Sequence, residues 1–168
     1  MPDIVIRPAH PDEWEEAGRI TVAAYLADGY IDSHAGGYAD QLANAATRAT
    51  EAELLVAVEN DEVLGTVTIV YPNTPWSEVS KPGELEFRML AVSPKAQGKG
   101  LGERLVKAVL ARAKEQGITH VVMSSSEKMT AAHRLYTRLG FHRLPERDWR
   151  PIPDLPLLAF AFSHDLNP

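Results

Sequence analysis

One stretch constrains this chain more than any other: a strand pattern that runs through a glycine-rich turn straight into a long helix. It is Glu84-Leu85-Glu86-Phe87-Arg88-Met89-Leu90-Ala91-Val92-Ser93-Pro94-Lys95-Ala96-Gln97-Gly98-Lys99-Gly100-Leu101-Gly102. Leu85, Phe87 and Met89 alternate with Glu84, Glu86 and Arg88, as on a strand with one apolar face. From Met89 to Val92 every residue is apolar, and the alternation is lost. Such a break predicts either a bulge or burial on both faces. A bulge leaves ladder amides and carbonyls free to bond a ligand. Glycine at 98, 100 and 102 then lets backbone N–H groups converge just before a helix. Amides converging at a helix N-terminus make an anion site, helped by the helix dipole. Lys95 and Lys99 add positive charge, so a phosphate or diphosphate is the expected occupant. Two familiar phosphate motifs fail here. A dinucleotide fingerprint needs glycine at 103, where Glu103 stands, and a P-loop needs Ser or Thr after Gly98-Lys99, where Gly100 stands.

Around this stretch the periodicities define the rest. Ile4-Val5-Ile6 predicts a first strand. Pro11-Asp12 opens a helix with Ala17, Ile20 and Ala24 on one side, Gly36-Gly37 breaks the chain, and residues 38–50 predict one Ala-rich second helix. Strands over 54–58 and 63–71 turn at Asn60-Asp61. Residues 72–83, with three prolines and a glycine, predict a loop. The fourth strand spans 84–92. In the helix after the turn, Leu101, Leu105, Val109 and Ala113 recur every four residues until Gly117. A strand over 119–123, a helix over 128–139 closed by Gly140, and strands over 141–144 and 157–162 complete the chain. The order β-α-α-β-β-β-α-β-α-β-β predicts an α+β fold with a mixed sheet, antiparallel in its first part, and helices on both faces. Residues 1–168 are expected to form one domain, since the 168 residues leave little room for two.

Charge and composition narrow the function. Lys and Arg number 17 and Asp and Glu 23, so 17 − 23 gives −6 at neutral pH, which argues against nucleic-acid or anionic-membrane binding. No cysteine is present, which removes disulfides, thiolate nucleophiles and Cys-ligated zinc. The six histidines show no metal spacing, so no metal is expected. The N-terminus does not read as a signal peptide, and the longest apolar run, residues 157–162, falls far short of a span of about 20 residues. A cytoplasmic protein is the expectation.

Two blocks carry a family resemblance. Gln97-Gly98-Lys99-Gly100-Leu101-Gly102, following Leu90-Ala91-Val92, resembles the Gln/Arg-x-x-Gly-x-Gly/Ala motif of the GNAT superfamily of acetyl-CoA-dependent N-acetyltransferases. Ala132-His133-Arg134-Leu135-Tyr136-Thr137-Arg138-Leu139-Gly140-Phe141 is similar to the Ala-x-x-Leu-Tyr-x-x-x-Gly-Phe of the same family. The resemblance implies a mostly antiparallel mixed sheet and acetyl-CoA as cosubstrate. It implies a pantetheine arm paired with Leu90, Ala91 and Val92, and a diphosphate on Gln97, Gly98, Lys99, Gly100, Leu101 and Gly102. It implies Glu86 as general base toward the amine, the Val92 region as oxyanion site, and Tyr136 as acid toward the departing thiolate. Many members carry Asn seven residues before the tyrosine. Here that position is Met129, and Ser125 or Ser126 is the substitute contact. The acceptor is a small-molecule or peptide primary amine, attacking directly in a ternary complex, and a sheet-edge homodimer is possible.

Other readings of the same residues remain open. Glu84, Glu86 and Arg88 also fit a solvated, ion-paired strand face. Tyr136 also fits an aromatic at the edge of a stripe made by Ala131, Leu135 and Leu139, with His133 facing solvent. Ser124-Ser125-Ser126 lies in no nucleophile elbow, so a serine hydrolase is not expected. Candidates for the acceptor pocket are Tyr25, Tyr30, Asp32, His34 and Trp76, with Asp148-Trp149 before the last strand. A non-catalytic CoA-binding regulatory module of the same fold is the alternative function.

Overall fold

The computed structural model describes residues 3–27, 37–150 and 159–166. Seven strands form one sheet: β1 (Val5–Pro8), β2 (Glu53–Glu59), β3 (Glu62–Val70), β4 (Glu84–Val92), β5 (His120–Ser126), β6 (His142–Arg143) and β7 (Ala159–Asp165). Their spatial order is β1-β2-β3-β4-β5-β7-β6. Only β4 and β5 pair in parallel; every other neighbouring pair is antiparallel. The fold is the expected α+β arrangement. The β2–β3 turn takes its left-handed pair from Asn60 (φ 50°) and Asp61 (φ 64°), residues whose short polar side chains tolerate that conformation.

Helices cover both faces. On one side lie α1 (Trp14–Ala27), α2 (Gly37–Ala43) and α3 (Ala45–Glu51). Their Ala17, Ile20, Ala24, Leu42 and Ala45 pack on Leu54, Val56 and Val58 of β2. On the other side α4 (Leu101–Glu115) and α5 (Thr130–Arg138) bury Leu101, Leu105, Val109, Ala113 and Tyr136 on Leu85, Phe87, Val121 and Met123. The four-residue repeat in α4 is therefore its core face.

The single helix expected over 38–50 is two short ones. Asn44 leaves helical geometry (φ −84°, ψ 64°) and its side chain accepts a bond from the Thr47 amide at 3.2 Å, capping α3. The break places Arg48 beneath the end of α2. Its Nη1 donates to the carbonyls of Gln41 (2.6 Å) and Leu42 (3.0 Å), and its Nε to Thr68 Oγ1 (3.1 Å). Arg48 has no exposed surface, and burial lowers its pKa to about 10. It closes the C-terminal end of α2, whose last carbonyls have no helical partner. Towards the C-terminus the strand expected over 141–144 shortens to His142–Arg143, and of the one expected over 157–162 residues 157 and 158 lie outside the described residues. Asp148 bonds the Ala161 amide at 2.8 Å, and Trp149 bridges to Ala159. These two residues hold β7 in place.

The α1–α2 contact depends on one glycine. A Cβ at Gly18 would lie 2.1 Å from the carbonyl oxygen of Ala43, which is backbone and has little room to yield. Gly18→Ala should therefore destabilise the fold by about 1–3 kcal/mol through overpacking. A urea unfolding midpoint equal to the wild type would show that α2 moves aside freely.

Candidate active site

The sheet opens at one place. The β4–β5 ladder pairs Glu84 with His120, Leu85 with Val121 and Glu86 with Val122, and goes no further. Beyond it β5 stays paired with β7 as far as Ser126, while β4 stays paired only with β3. In the same stretch the β3–β4 register slips: Thr66 faces Ala91 but Thr68 faces Arg88, so Met89 and Leu90 together oppose Val67. Met89 has φ 55°, a left-handed conformation that costs a side-chain-bearing residue roughly 1–2 kcal/mol. This is a bulge on the strand edge that β5 leaves free.

The bulge also turns the strand over. Leu85 and Phe87 pack toward α4, whereas Met89 and Ala91 join the cluster under α1. Leu90 and Val92, half-buried, pack back on the α4 side. The alternation that put Met89 with Leu85 and Phe87 is thus corrected: the extra residue moves Met89 to the opposite face.

After Val92 the chain turns through a short 3-10 segment, Pro94–Ala96. The Gln97 side chain donates to the Val92 carbonyl at 3.1 Å and ties the turn back to the strand end. Gln97, Gly98, Lys99 and Gly100 are exposed, while Leu101 is buried and anchors α4. Gly98 (φ 84°) and Gly100 (φ 72°) are left-handed, and a Cβ on either would meet nothing within 4 Å. Glycine is needed there for backbone conformation, in front of open space. A Cβ on Gly102 would sit 3.4 Å from Leu135, so that glycine serves the α4–α5 contact. Gly100 caps α4 with no side-chain bond, which leaves the first amides of the helix for an outside acceptor. Lys95 pairs with Glu62, and Lys99 lies 3.7 Å from Glu59, so both lysines are partly neutralised by the β2–β3 hairpin.

Tyr136 sits at the centre of its helix face. It is 4% exposed, with ring centroids 5.8 Å from Phe87, 5.9 Å from Phe141 and 5.8 Å from Phe162. The expected stripe shifts accordingly: Ala131 is exposed, and Ala132, Leu135 and Leu139 flank Tyr136. His133 does not face solvent. Its Nε2 lies 3.1 Å from Ser125 Oγ, its ring packs on Phe162, and burial lowers its pKa. Ser126 is half-buried at the end of β5, where its Oγ accepts from the Lys128 amide at 3.3 Å. Met129 packs against the α1-side cluster.

The expected base is held differently. Glu86 has no exposed surface, so the solvated strand face is overturned. Its Oε1 accepts from the amides of Glu78 (3.1 Å), Val79 (3.3 Å) and Ser80 (3.1 Å), and its Oε2 from Glu78 (3.2 Å). The carboxylate anchors the loop over residues 72–83 instead of standing open to an amine. Glu84 is engaged elsewhere, taking both bonds from Arg147 at 2.9 and 2.8 Å.

Two neighbours, Glu78 and Tyr38, went unremarked as site residues in the sequence, and Arg88 was read only as part of a solvated strand face. Arg88 lies 2.9 Å from Glu78 Oε1, donates to the Trp76 carbonyl at 3.1 Å and sits 5.6 Å from the centre of the Trp76 ring. Burial raises the Glu78 pKa to about 7, against the pull of Arg88 and with a further push from Glu86. Tyr38 of α2 stacks near Tyr25 of α1, with ring centroids 6.4 Å apart. Burial drives the Tyr25 phenol well above its usual pKa, and Tyr38 and Tyr136 add to the rise. Glu86 and Arg88 on the strand face opposite Leu85 and Phe87 were the available signal. Glu78 gave none, being one glutamate in a proline-rich loop. Tyr30, Asp32 and His34 lie outside the described residues.

With this geometry in view, comparison with known proteins identifies the class. Structures of the same fold include a GNAT-family acetyltransferase of Staphylococcus aureus Mu50, 16% identical with TM-score 0.75, covering 98% of this chain and 100% of that one. Another is a GNAT-family acetyltransferase of Elizabethkingia anophelis with acetyl-CoA bound, 20% identical with TM-score 0.65, covering 97% and 98%. At those identities the likeness is one of fold. Residues 12–141 match the Acetyltransferase (GNAT) family, and the chain belongs to it. N-acetyltransferase 8B of Rattus norvegicus is 34% identical over 99 residues, 56% of this chain and 43% of that protein. The chain spans about half the length of the curated relatives of this kind.

The anchoring of the loop is testable. Glu86→Ala leaves the amides of Glu78, Val79 and Ser80 without their acceptor and should cost about 1–3 kcal/mol. Hydrogen exchange at those three amides should accelerate more than the global loss of stability accounts for. Unchanged local exchange would mean that other acceptors hold the loop.

Proposed function

We propose that the chain is a single-domain cytoplasmic N-acetyltransferase that carries the acetyl group of acetyl-CoA to a primary amine, in a small molecule or a peptide. The supporting observation is the coincidence of three features: the β4–β5 opening, the Met89 bulge at its edge, and the uncapped glycine turn at its end. A free strand edge suits an extended amide-bearing arm, and uncapped helix amides suit a diphosphate. Leu90, Ala91 and Val92 provide the edge. Gln97, Gly98, Lys99, Gly100, Leu101 and Gly102 provide the turn. Ser126 offers the polar contact that Met129 lacks.

The bound thioester supplies the activated acetyl group; the chain supplies the rest. Backbone amides near Val92 stabilise the oxyanion as the amine attacks. Tyr136, beside Phe87 on the inner side of the opening, gives its proton to the departing sulfur. With no cysteine in the chain, no thioester forms on the protein, and the acetyl group passes directly. That transfer calls on no metal.

Acetyl-CoA titration followed by calorimetry, and thiol release over an amine panel, test the proposal; absence of acetyl-CoA binding would sink it. Gly100→Val forces a side chain into a left-handed position facing the open turn. It should weaken acetyl-CoA binding at least tenfold, while the thermal midpoint moves only a few degrees. Tyr136→Phe should keep the acetyl-CoA Kd and lower kcat by about 100-fold. An unchanged kcat would remove Tyr136 from proton transfer.

A further inference from the structure

We propose that Glu78 is the proton acceptor for the incoming amine, and that Glu86 acts on the reaction only through Glu78. This rests on the acetyl-transfer reading above and adds the identity of its base.

Glu86 has the family position but not the freedom. It has no exposed surface, and three loop amides occupy its carboxylate. Glu78 has the freedom. It lies at the surface, but its side chain turns inward and keeps 24% exposure. Arg88 fixes Oε1 at 2.9 Å, and among the described residues Oε2 accepts no hydrogen bond. The backbone amide of Glu78 is fixed by Glu86 at 3.1 Å. Trp76, two residues before it, packs on the cluster of Met89 and Ala91, next to the bulge, and lies against the Arg88 guanidinium. The carboxylate is thus held from both ends on the face of β4 that carries Glu86 and Arg88, against the residue that precedes the Met89 bulge, with one oxygen free of hydrogen bonds among the described residues.

The charges around it suit the task. A primary ammonium has a pKa near 10 and is protonated at neutral pH, so a base must remove one proton before attack. Among the described residues, the groups facing Glu78 are Arg88 and Glu86 of β4 and Tyr38 of α2, while Arg147, from the turn after β6, bonds the Val79 carbonyl. Burial and the Glu86 charge outweigh Arg88, so Glu78 changes charge near pH 7. Tyr38, and Tyr25 beside it, are both shifted upward by burial and are poor proton acceptors at that pH. His133 is engaged with Ser125 and packed on Phe162.

The ammonium gives one proton to Glu78, directly or through one water, and Glu78 later releases it to solvent. The nitrogen lone pair forms the C–N bond and the C–S bond breaks. The sulfur takes the Tyr136 proton, and the second nitrogen proton returns to the Tyr136 oxygen through water. The products are the amide and the free thiol.

The sign of the pH dependence follows. Glu78 accepts a proton only when ionised, so kcat/KM must rise as pH climbs through about 7. The test follows thiol release from pH 5.5 to 9 with spermidine, glucosamine, phenylalaninamide and an alanine-initiated tetrapeptide as probes. Glu78→Gln should keep its acetyl-CoA Kd, lose about 100-fold in kcat and lose the limb near 7. Glu86→Gln should be slower but keep a limb, displaced to lower pH because a negative neighbour of Glu78 is gone. A limb retained in Glu78→Gln, or abolished only in Glu86→Gln, overturns the assignment while leaving acetyl transfer standing. Should Glu78→Gln fail to fold, Glu78→Asp decides: an unshifted limb and an unchanged kcat overturn it equally. No transfer by the wild type to any of the four amines overturns the acetyl-transfer reading, and this assignment with it.

Discussion

Everything in the site follows from where the ladder between β4 and β5 stops. Parallel strands normally continue pairing as long as their backbones stay in register. Here three residue pairs form, and then the two strands keep only their outer neighbours. The bulge at Met89 explains why the opening persists. Two residues facing one increase the local twist of β4, and its free edge turns away from β5. The left-handed Met89 is held by burial, since its side chain is 5% exposed among α1-side residues. A packed side chain thus offsets a backbone conformation that the residue would otherwise avoid.

The second constraint is a buried charge used as an anchor. Glu86 loses its water entirely, a cost that buried carboxylates recover only through charge-assisted bonds. Its four contacts all come from consecutive amides of a loop with no regular structure. The proline content of that loop limits its alternatives before folding, and Glu86 selects among them. Arg48 does comparable work, closing α2 and reaching Thr68, with Nη2 meeting no hydrogen-bond partner among the described residues.

Local chemistry made much of this legible in advance. The limits of β4 were readable because alternation and its failure are both properties of neighbouring residues. The left-handed glycines and the Asn60-Asp61 turn were readable because backbone conformation there depends on residue type. What stayed hidden depends on partners distant in sequence. Met89 faces α1 because the bulge reverses the strand, which requires knowing that β5 departs. Asn44 divides one helix into two because its cap competes with an Ala-rich run that would otherwise continue. Ala131 and Tyr136 exchange their expected places because the α5 face is chosen by Phe87, Phe141 and Phe162. Glu78 owes its environment to Arg88 and Glu86, and no spacing within its own loop encodes that.

The opening also divides the chemistry between the two sides of the sheet. Tyr136 belongs to the α4–α5 side, packed on Phe87, while Glu78, Arg88 and Trp76 belong to the α1 side. The Tyr25 phenol on α1 is raised mainly by burial, and Tyr38 and then Tyr136 add to the rise. A continuous ladder of backbone bonds would separate these groups. In the acetyl transfer proposed above, its absence lets a proton taken from the amine on one side and a proton given to the sulfur on the other serve a single carbonyl between them. The two side chains assigned to proton transfer in that proposal have separate surroundings: aromatic rings around Tyr136, and an arginine with its tryptophan around Glu78. Under that proposal the split strand pair is both the place where an arm is held and the reason that acid and base work from opposite directions.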